Sequence, residues 1–301
     1  MEQSNQMSAA PLPALQSVAP RNRNTALRRF LRHRLAVFGV VTMVLLVLGC
    51  TFGPMLLPHD DITVNILGRF TPPFSNAEHF LGTDQLGRDM LARLLMAGRI
   101  SLAVGFGSMV LSMVIGVLIG VIAGYYGGVV GSVLMRFVDA VLCFPTIFLL
   151  LALAAFISPG VGSIILLLAI TGWMEVARIV EAQMRSLKER DYAVASLALG
   201  AKDVRIMFRE LLPNAIAPIV VAATLSVAHA ILMESYISFL GYGIQPPTPS
   251  WGNMLGGAQS YLQSGPWLAI LPGVMIALAV SSINFIGDGL RDALDPRAEV
   301  L

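Results

Sequence analysis

The chain has 301 residues, of which 56% are hydrophobic and only 13% charged, with a net charge of +2 and a mean hydropathy of +0.75. Soluble domains carry about a quarter charged residues, so an ordinary soluble protein is excluded and an integral membrane protein is implied. The net charge decides nothing by itself; where the charges sit does.

Residues 1–34 form a polar N-terminal tail with six arginines between positions 21 and 34. An apolar run over 35–57 follows, and about 20 such residues cross the hydrocarbon core as a helix. "LVLGC", ending at Cys50, looks like a lipoprotein cleavage signal. A secretory signal occupies roughly the first 15–30 residues, whereas here the apolar run starts later and further spans come after it, so 35–57 is read as a retained span. Cys50 and Cys143 both lie in apolar runs and are read as small buried hydrophobes, not as a disulfide or zinc site.

The loop over 58–99 carries "GRDMLARLLMAGR", predicted to lie at the interface as an amphipathic helix with Met90, Leu91, Leu94 and Leu95 toward lipid and its arginines toward water. A core of five spans is expected over 100–288, at 100–124, 133–157, 161–180, 215–240 and 267–287, before a tail at 289–301. Gly116, Gly120 and Gly124 repeat every four residues in the first of these, a pattern that lets helices approach closely in lipid. Pro145 is expected to kink the 133–157 span. Arg136 with Asp139, and Glu175 with Arg178, are three apart and read as helix-end pairs or snorkelling groups.

Lys and Arg placement orients the chain. Seven lie in 178–209 and two (Arg291, Arg297) in the tail, while 242–266 has none. Both termini and the 181–213 loop are therefore expected in the cytoplasm. Arg69, Arg88, Arg93 and Arg99 run against that rule.

That loop contains "DYAVASLALGAKDVRIMFRELLPN" at 191–214. Asp191 is expected to cap one short helix, Gly200 and Ala201 to break it, and Asp203 to cap a second. In the second, Val204, Met207, Phe208 and Leu211 fall on one apolar face, opposite Lys202, Arg205, Arg209 and Glu210. Pro213 is expected to stop it. The small residues Ala195, Ser196, Ala198, Gly200 and Ala201 leave a low surface able to enter a partner's groove, and the stiff junction to the next span makes the segment a lever.

The segment resembles the EAA loop of ABC-importer permeases, with Ala195, Gly200, Leu212 and Pro213 in register. Val194, Ser196 and Glu210 depart from the pattern. "FLGTDQLGRDMLARLLMAGRISL" (80–102), "FLGYGIQPPTPSWGNML" (239–255) and "GDGLRDALDP" (287–296) are similar to signatures of the C-type permease of dipeptide, oligopeptide and nickel importers. The resemblance implies an all-α, six-span permease of the type I ABC-importer fold in a bacterial inner membrane. It further implies a second related permease, two cytoplasmic ATPases that hold ATP and Mg, and an extracytoplasmic substrate-binding protein. Coupling to the ATPases would fall on Ala195, Ser196, Leu199, Gly200, Ala201, Lys202, Asp203 and Pro213.

No Walker A sequence is present, so an ATP-driven pump built from this chain must borrow its motor. No catalytic motif of a membrane hydrolase and no ligand-spaced cluster of His or carboxylates is found; no metal, no nucleic acid partner and no enzyme activity are expected. Glu234 and His229, deep in a span, are candidates to line a translocation cavity, although Glu234 could equally anchor a neighbouring helix. Gln245, Pro246, Pro247 and Trp251 are candidates for a rigid external gate or binding-protein contact. Peptides are the expected cargo, with nickel chelates, glutathione or another small solute as alternatives. Readings from other classes are an ion-coupled secondary transporter, which would show inverted repeats and midplane charge pairs, and a membrane scaffold without transport activity.

Overall fold

The computed structural model describes residues 23–294. Arg21, Asp295 and Arg297, with the remainder of residues 1–22 and 295–301, lie outside the described residues. The described chain is built of helices and turns: α1 (Arg23–Arg32), α2 (Arg34–Leu56), α3 (Met90–Tyr126), α4 (Gly128–Leu142), α5 (Thr146–Ala154), α6 (Val161–Lys188), α7 (Asp191–Ala198), α8 (Asp203–Arg205), α9 (Ile216–Phe239), α10 (Trp251–Ala258) and α11 (Trp267–Leu294). Among them α2, α3, α6, α9 and α11 are long and apolar enough to cross a membrane. A sixth span is supplied if the α4–α5 pair counts as one. That pair is bent by 82°, and the break falls where Pro145 disfavours helical backbone at Phe144 and starts a new helix. The bend leaves Cys143 exposed, not buried as its apolar surroundings suggest. Cys50 is buried against Gly98.

The end of the expected N-terminal tail is helical. In α1, Phe30 packs near Gly289 of α11, and His33 caps α2 by accepting from the Ala36 N–H at 3.1 Å.

The largest interhelical contact joins α3 and α6. It is built on the four-residue glycine repeat. A Cβ added at Gly120 would lie 2.6 Å from both the Ala177 carbonyl oxygen and Val180 Cβ, and Gly116 and Gly124 meet α6 backbone carbonyls as closely. Where lipid tails are as apolar as the side chains, such close backbone approach replaces the hydrophobic drive. Gly120→Leu is therefore expected to separate the two helices and to abolish recovery of folded, monodisperse protein in detergent; wild-type elution on size-exclusion chromatography would contradict this packing.

One element differs from expectation. The segment from Met90 is not a separate interfacial helix but the first turns of α3, which runs unbroken for 37 residues. At ~1.5 Å per residue it spans ~55 Å, well beyond the ~30 Å hydrocarbon core. Asp89 caps it, accepting from the Ala92 N–H at 2.7 Å, and nothing between Met90 and Tyr126 breaks it. Met90 and Leu94 face protein, not lipid: both are buried in a cluster with Trp251, Met254 and Leu268. Arginines 88 and 93 are turned inward, while Arg99 stays exposed. Arg88 and Arg93 share Asp84, and Arg99 donates to the Thr51 carbonyl at 2.6 Å. Bound within the fold, these cations oppose the charge rule less than their number suggests.

Candidate functional site

The segment between α6 and α9 has the elbow that its glycine announced, with a different internal register. Helix α7 starts after Arg190, and Asp191 is its first residue; no side-chain cap forms, so Asp191 acts through the helix dipole alone. Gly200 turns the chain with φ +79°, in the left-handed region where glycine has no Cβ penalty. Beyond it, α8 opens directly into a π-helical stretch over Ile206–Leu211. Bonds from i to i+5 bring residues five apart into line, so the buried stripe is Ile206, Met207 and Leu211, while Val204 and Phe208 are turned outward. The four-residue spacing had placed all of Val204, Met207, Phe208 and Leu211 on one face. A 3₁₀ turn over Leu212–Asn214, with Pro213 in it, ends the wide helix just before α9.

Asp203 was expected to cap its helix. Instead its carboxylate accepts from the Tyr125 hydroxyl at 2.8 Å, at the end of α3. Lys188, in the last turn of α6, donates to the Tyr125 carbonyl at 2.8 Å. The elbow is thus fastened to α3, and α3 in turn to the end of α6, from which the elbow leaves. Its outer surface is open: Ala195, Gly200, Lys202 and Pro213 are exposed, Ser196, Ala201 and Asp203 half-buried, and Leu199 is 89% exposed. Val194 and Leu197 add to an apolar patch beside it. Tyr125→Phe removes one hydrogen bond of ordinary strength, about 1 kcal/mol. Amide exchange over 199–211 should accelerate about fivefold as a result; unchanged exchange would show that the Tyr125–Asp203 bond does not hold the elbow.

A cavity of about 220 Å³ opens between α3, α5, α6 and α9. Its polar lining comes from Ser108, Ser112, Thr146, Thr171, Glu175, Ser226 and His229. The serine hydroxyls and that of Thr171 are bonded to backbone carbonyls, Ser112 to Ala169 at 3.3 Å and Ser226 to Ala222 at 2.8 Å, for example. Glu175 and His229 are exposed into the opening, without a hydrogen-bond or ion-pair partner among the described residues. An acid and a base on one cavity, each about midway along its helix, can hold a polar or zwitterionic solute. Sequence reasoning placed His229 here and set Glu175 aside as a snorkelling group. Its position 14 residues into α6 was the available signal. Arg178 turns to Asp139 at 4.0 Å, not to Glu175.

Glu234 is not part of this cavity. It is fully buried, accepting from Ser101 of α3 at 2.9 Å and from Ser238 at 2.7 Å. Ser101 in turn accepts from the Trp251 N–H at 3.2 Å, and Ser238 from the Ile244 N–H at 3.1 Å. The carboxylate therefore ties α3, α9 and the loop into α10 together. Trp251 also departs from expectation. It is buried, its indole donating to the Leu94 carbonyl at 3.0 Å, and cannot offer a docking surface. Gln245, Pro246 and Pro247 are exposed on the same loop. The short helix α10 was not foreseen; Ser250 and Asn253 cap it reciprocally.

Residues 116–300 match the family described as the binding-protein-dependent transport system inner membrane component, and residues 24–73 match the N-terminal TM domain of oligopeptide transport permease C. A putative peptide permease protein of Brucella suis is 42% identical over 90% of both chains. The di/tripeptide transport system permease protein DppC of Pseudomonas aeruginosa is 39% identical over 97% of this chain and 98% of its own. The oligopeptide transport system permease protein OppC of Bacillus subtilis is 39% identical over 90% and 88%. In fold, the chain is similar to one of the MetNI methionine ABC transporter in inward-facing conformations, at a TM-score of 0.57 and 23% identity, covering 68% of this chain and 98% of that one.

Proposed function

The chain belongs to the binding-protein-dependent transport system inner membrane components, and we propose from that premise that it forms half of the pathway of an ATP-driven peptide importer. The observation that carries the peptide reading is near-full-length similarity to permeases named for peptides, dipeptides and oligopeptides. A second, related permease covers the open side of the cavity lined by Glu175 and His229, so that two chains enclose the path. The chain works as a gate and carries out no chemistry of its own. ATP and Mg are held by two cytoplasmic ATPases, one of which grips the exposed elbow around Ala195, Leu199 and Gly200. An extracytoplasmic binding protein delivers cargo at the opposite face. With both termini in the cytoplasm of a bacterial inner membrane, the elbow and the Lys- and Arg-rich ends lie on the ATPase side.

The elbow transmits force because it is anchored rather than hinged. Tyr125 holds it to the end of α3, the chain itself joins it to α6, whose Lys188 is bonded to the same end of α3, and the 3₁₀ turn at Leu212–Asn214 runs into α9. Those same three helices wall the cavity. A displacement of the elbow therefore reaches all three walls at once.

The test is uptake by proteoliposomes holding the complete importer and its binding protein. ATP-dependent accumulation of a labelled dipeptide or short oligopeptide is expected, outcompeting glutathione and nickel chelates. Uptake of one of those solutes with no response to peptides would replace the cargo; accumulation by this chain alone, driven by an ion gradient, would overturn the function.

A further inference from the structure

A second, smaller cavity of about 90 Å³ lies at the other end of the molecule, between the 84–93 segment, α10 and the start of α11. It shares no lining residue with the larger cavity. Its walls bring together two guanidiniums, those of Arg88 and Arg93, around one carboxylate. Arg88 Nε lies 2.7 Å and Arg93 Nε 3.3 Å from the same oxygen, Asp84 Oδ2. The other oxygen, Oδ1, accepts from the Leu86 and Arg88 N–H groups at 2.8 and 3.0 Å. Asp84 is thus fully engaged, while Nη1 and Nη2 of Arg88 and Nη2 of Arg93 have no partner among the described residues. Asp61 reaches Arg93 through its backbone carbonyl at 3.2 Å, and its carboxylate acts on Arg93 only through space.

Asp84 is the one carboxylate in contact with the two guanidiniums, Asp61 acting on Arg93 from further away; with Arg93 7% exposed, the N–H groups left over favour a further acceptor, because buried charge is costly unless paired. The free N–H groups suit a carboxylate, which guanidinium binds through paired, charge-assisted bonds. The cavity accepts a carboxylate head and a methylene or two, not a whole peptide. Its rim includes exposed Pro246 and Gly257.

We propose that this cavity is a socket for an Asp or Glu side chain of the extracytoplasmic binding protein. The assignment rests on the importer reading above and replaces Trp251 as the docking feature of this face. Since cargo in transit follows the other cavity, the carboxylate that fits here belongs to a docked partner. The socket is also wired inward: α10 forms one wall, and its first residue, Trp251, donates to Ser101, the partner of Glu234. Docking would thereby register on α3 and α9.

The experiment measures docking of the fluorescently labelled binding protein to the complete importer in nanodiscs, without ATP. Arg88→Gln is expected to weaken docking at least about tenfold and to flatten its salt dependence. Gly257→Leu fills the mouth while leaving both arginines in place; a Cβ there meets only Gln85 Nε2, at 3.9 Å, so the fold tolerates it. It is expected to weaken docking to a similar degree. Wild-type docking by Gly257→Leu overturns the proposal, whatever Arg88→Gln does, since loss in the arginine variant alone marks a structural role. Unaltered docking in both, with impaired uptake of free peptides but not of C-terminally amidated ones, assigns the socket to the cargo's carboxylate and also overturns it. Failure here leaves ATP-dependent peptide uptake by the wild-type importer intact, whereas failure of the importer reading removes that uptake.

Discussion

Gly200→Arg is expected to abolish ATP-driven uptake while leaving the chain folded and inserted. Two effects of the substitution can be separated. At φ +79° any side chain strains the backbone, by about 1–2 kcal/mol for an ordinary L-residue. A Cβ at Gly200 finds nothing within 4 Å, so the added bulk meets no part of this chain and points outward, into the surface proposed to meet an ATPase. Gly200→Asn is the control, because asparagine tolerates the left-handed region and adds little volume. It should retain most of the uptake rate, while the arginine variant should lose uptake and fail to retain the ATPases on purification, and a bulky cation at Ala195 should behave similarly. Uptake at full rate with Gly200→Arg would mean that the elbow is not where the motor grips.

Much of this architecture was legible in the sequence, for a physical reason. Spans are set by runs of apolar residues, and a run is a local property. The break at Pro145 and the elbow at Gly200 are local as well, since each depends on what one residue permits its own backbone. The four-residue glycine repeat announced a close helix contact, though not that α6 would fill it. The register of the second elbow helix was misread because it widens over Ile206–Leu211, and a pattern of three and four cannot anticipate a turn of five.

What could not be read is what tertiary contact decides. Trp251 had the composition of an interfacial residue, yet it is buried because Gly98 leaves room for its ring against α3. Asp203 had the position of a cap, but Tyr125 lies 78 residues away and takes its carboxylate. Arg88 and Arg93 look exposed in an amphipathic pattern, and it is Asp84 that draws them in. Trp251 and Asp203 found partners from distant parts of the chain, whereas Asp84 lies only four and nine residues from its arginines, in the turn that precedes α3. The proposed function divides in the same way. The elbow is a surface feature with a local signature, whereas the cavity needs Glu175 and His229 from two different spans.

Glu234→Ala is expected to destabilise the chain by at least about 3 kcal/mol, through two hydroxyls that lose their acceptor and a buried void, each worth about 1–3 kcal/mol. Ser101 and Ser238 are 133 and 4 residues from Glu234, and both already accept a backbone N–H from the outer loop region. Without the carboxylate, their own hydrogens have no acceptor, and the link between α3, α9 and α10 is lost. Glu234→Gln keeps the shape and one acceptor oxygen and should recover more than half of the loss. Thermal unfolding in detergent reads the ranking: wild type above Glu234→Gln, well above Glu234→Ala. Ser101→Ala supplies the second side of a double-mutant cycle, and a coupling of at least about 0.5 kcal/mol with Glu234→Ala is expected for groups in direct contact. A cavity-lining carboxylate would give the opposite pattern, with stability unchanged and uptake altered. Glu234→Ala unfolding like wild type would therefore return this residue to the transport path and leave the junction of α3, α9 and α10 to apolar packing alone.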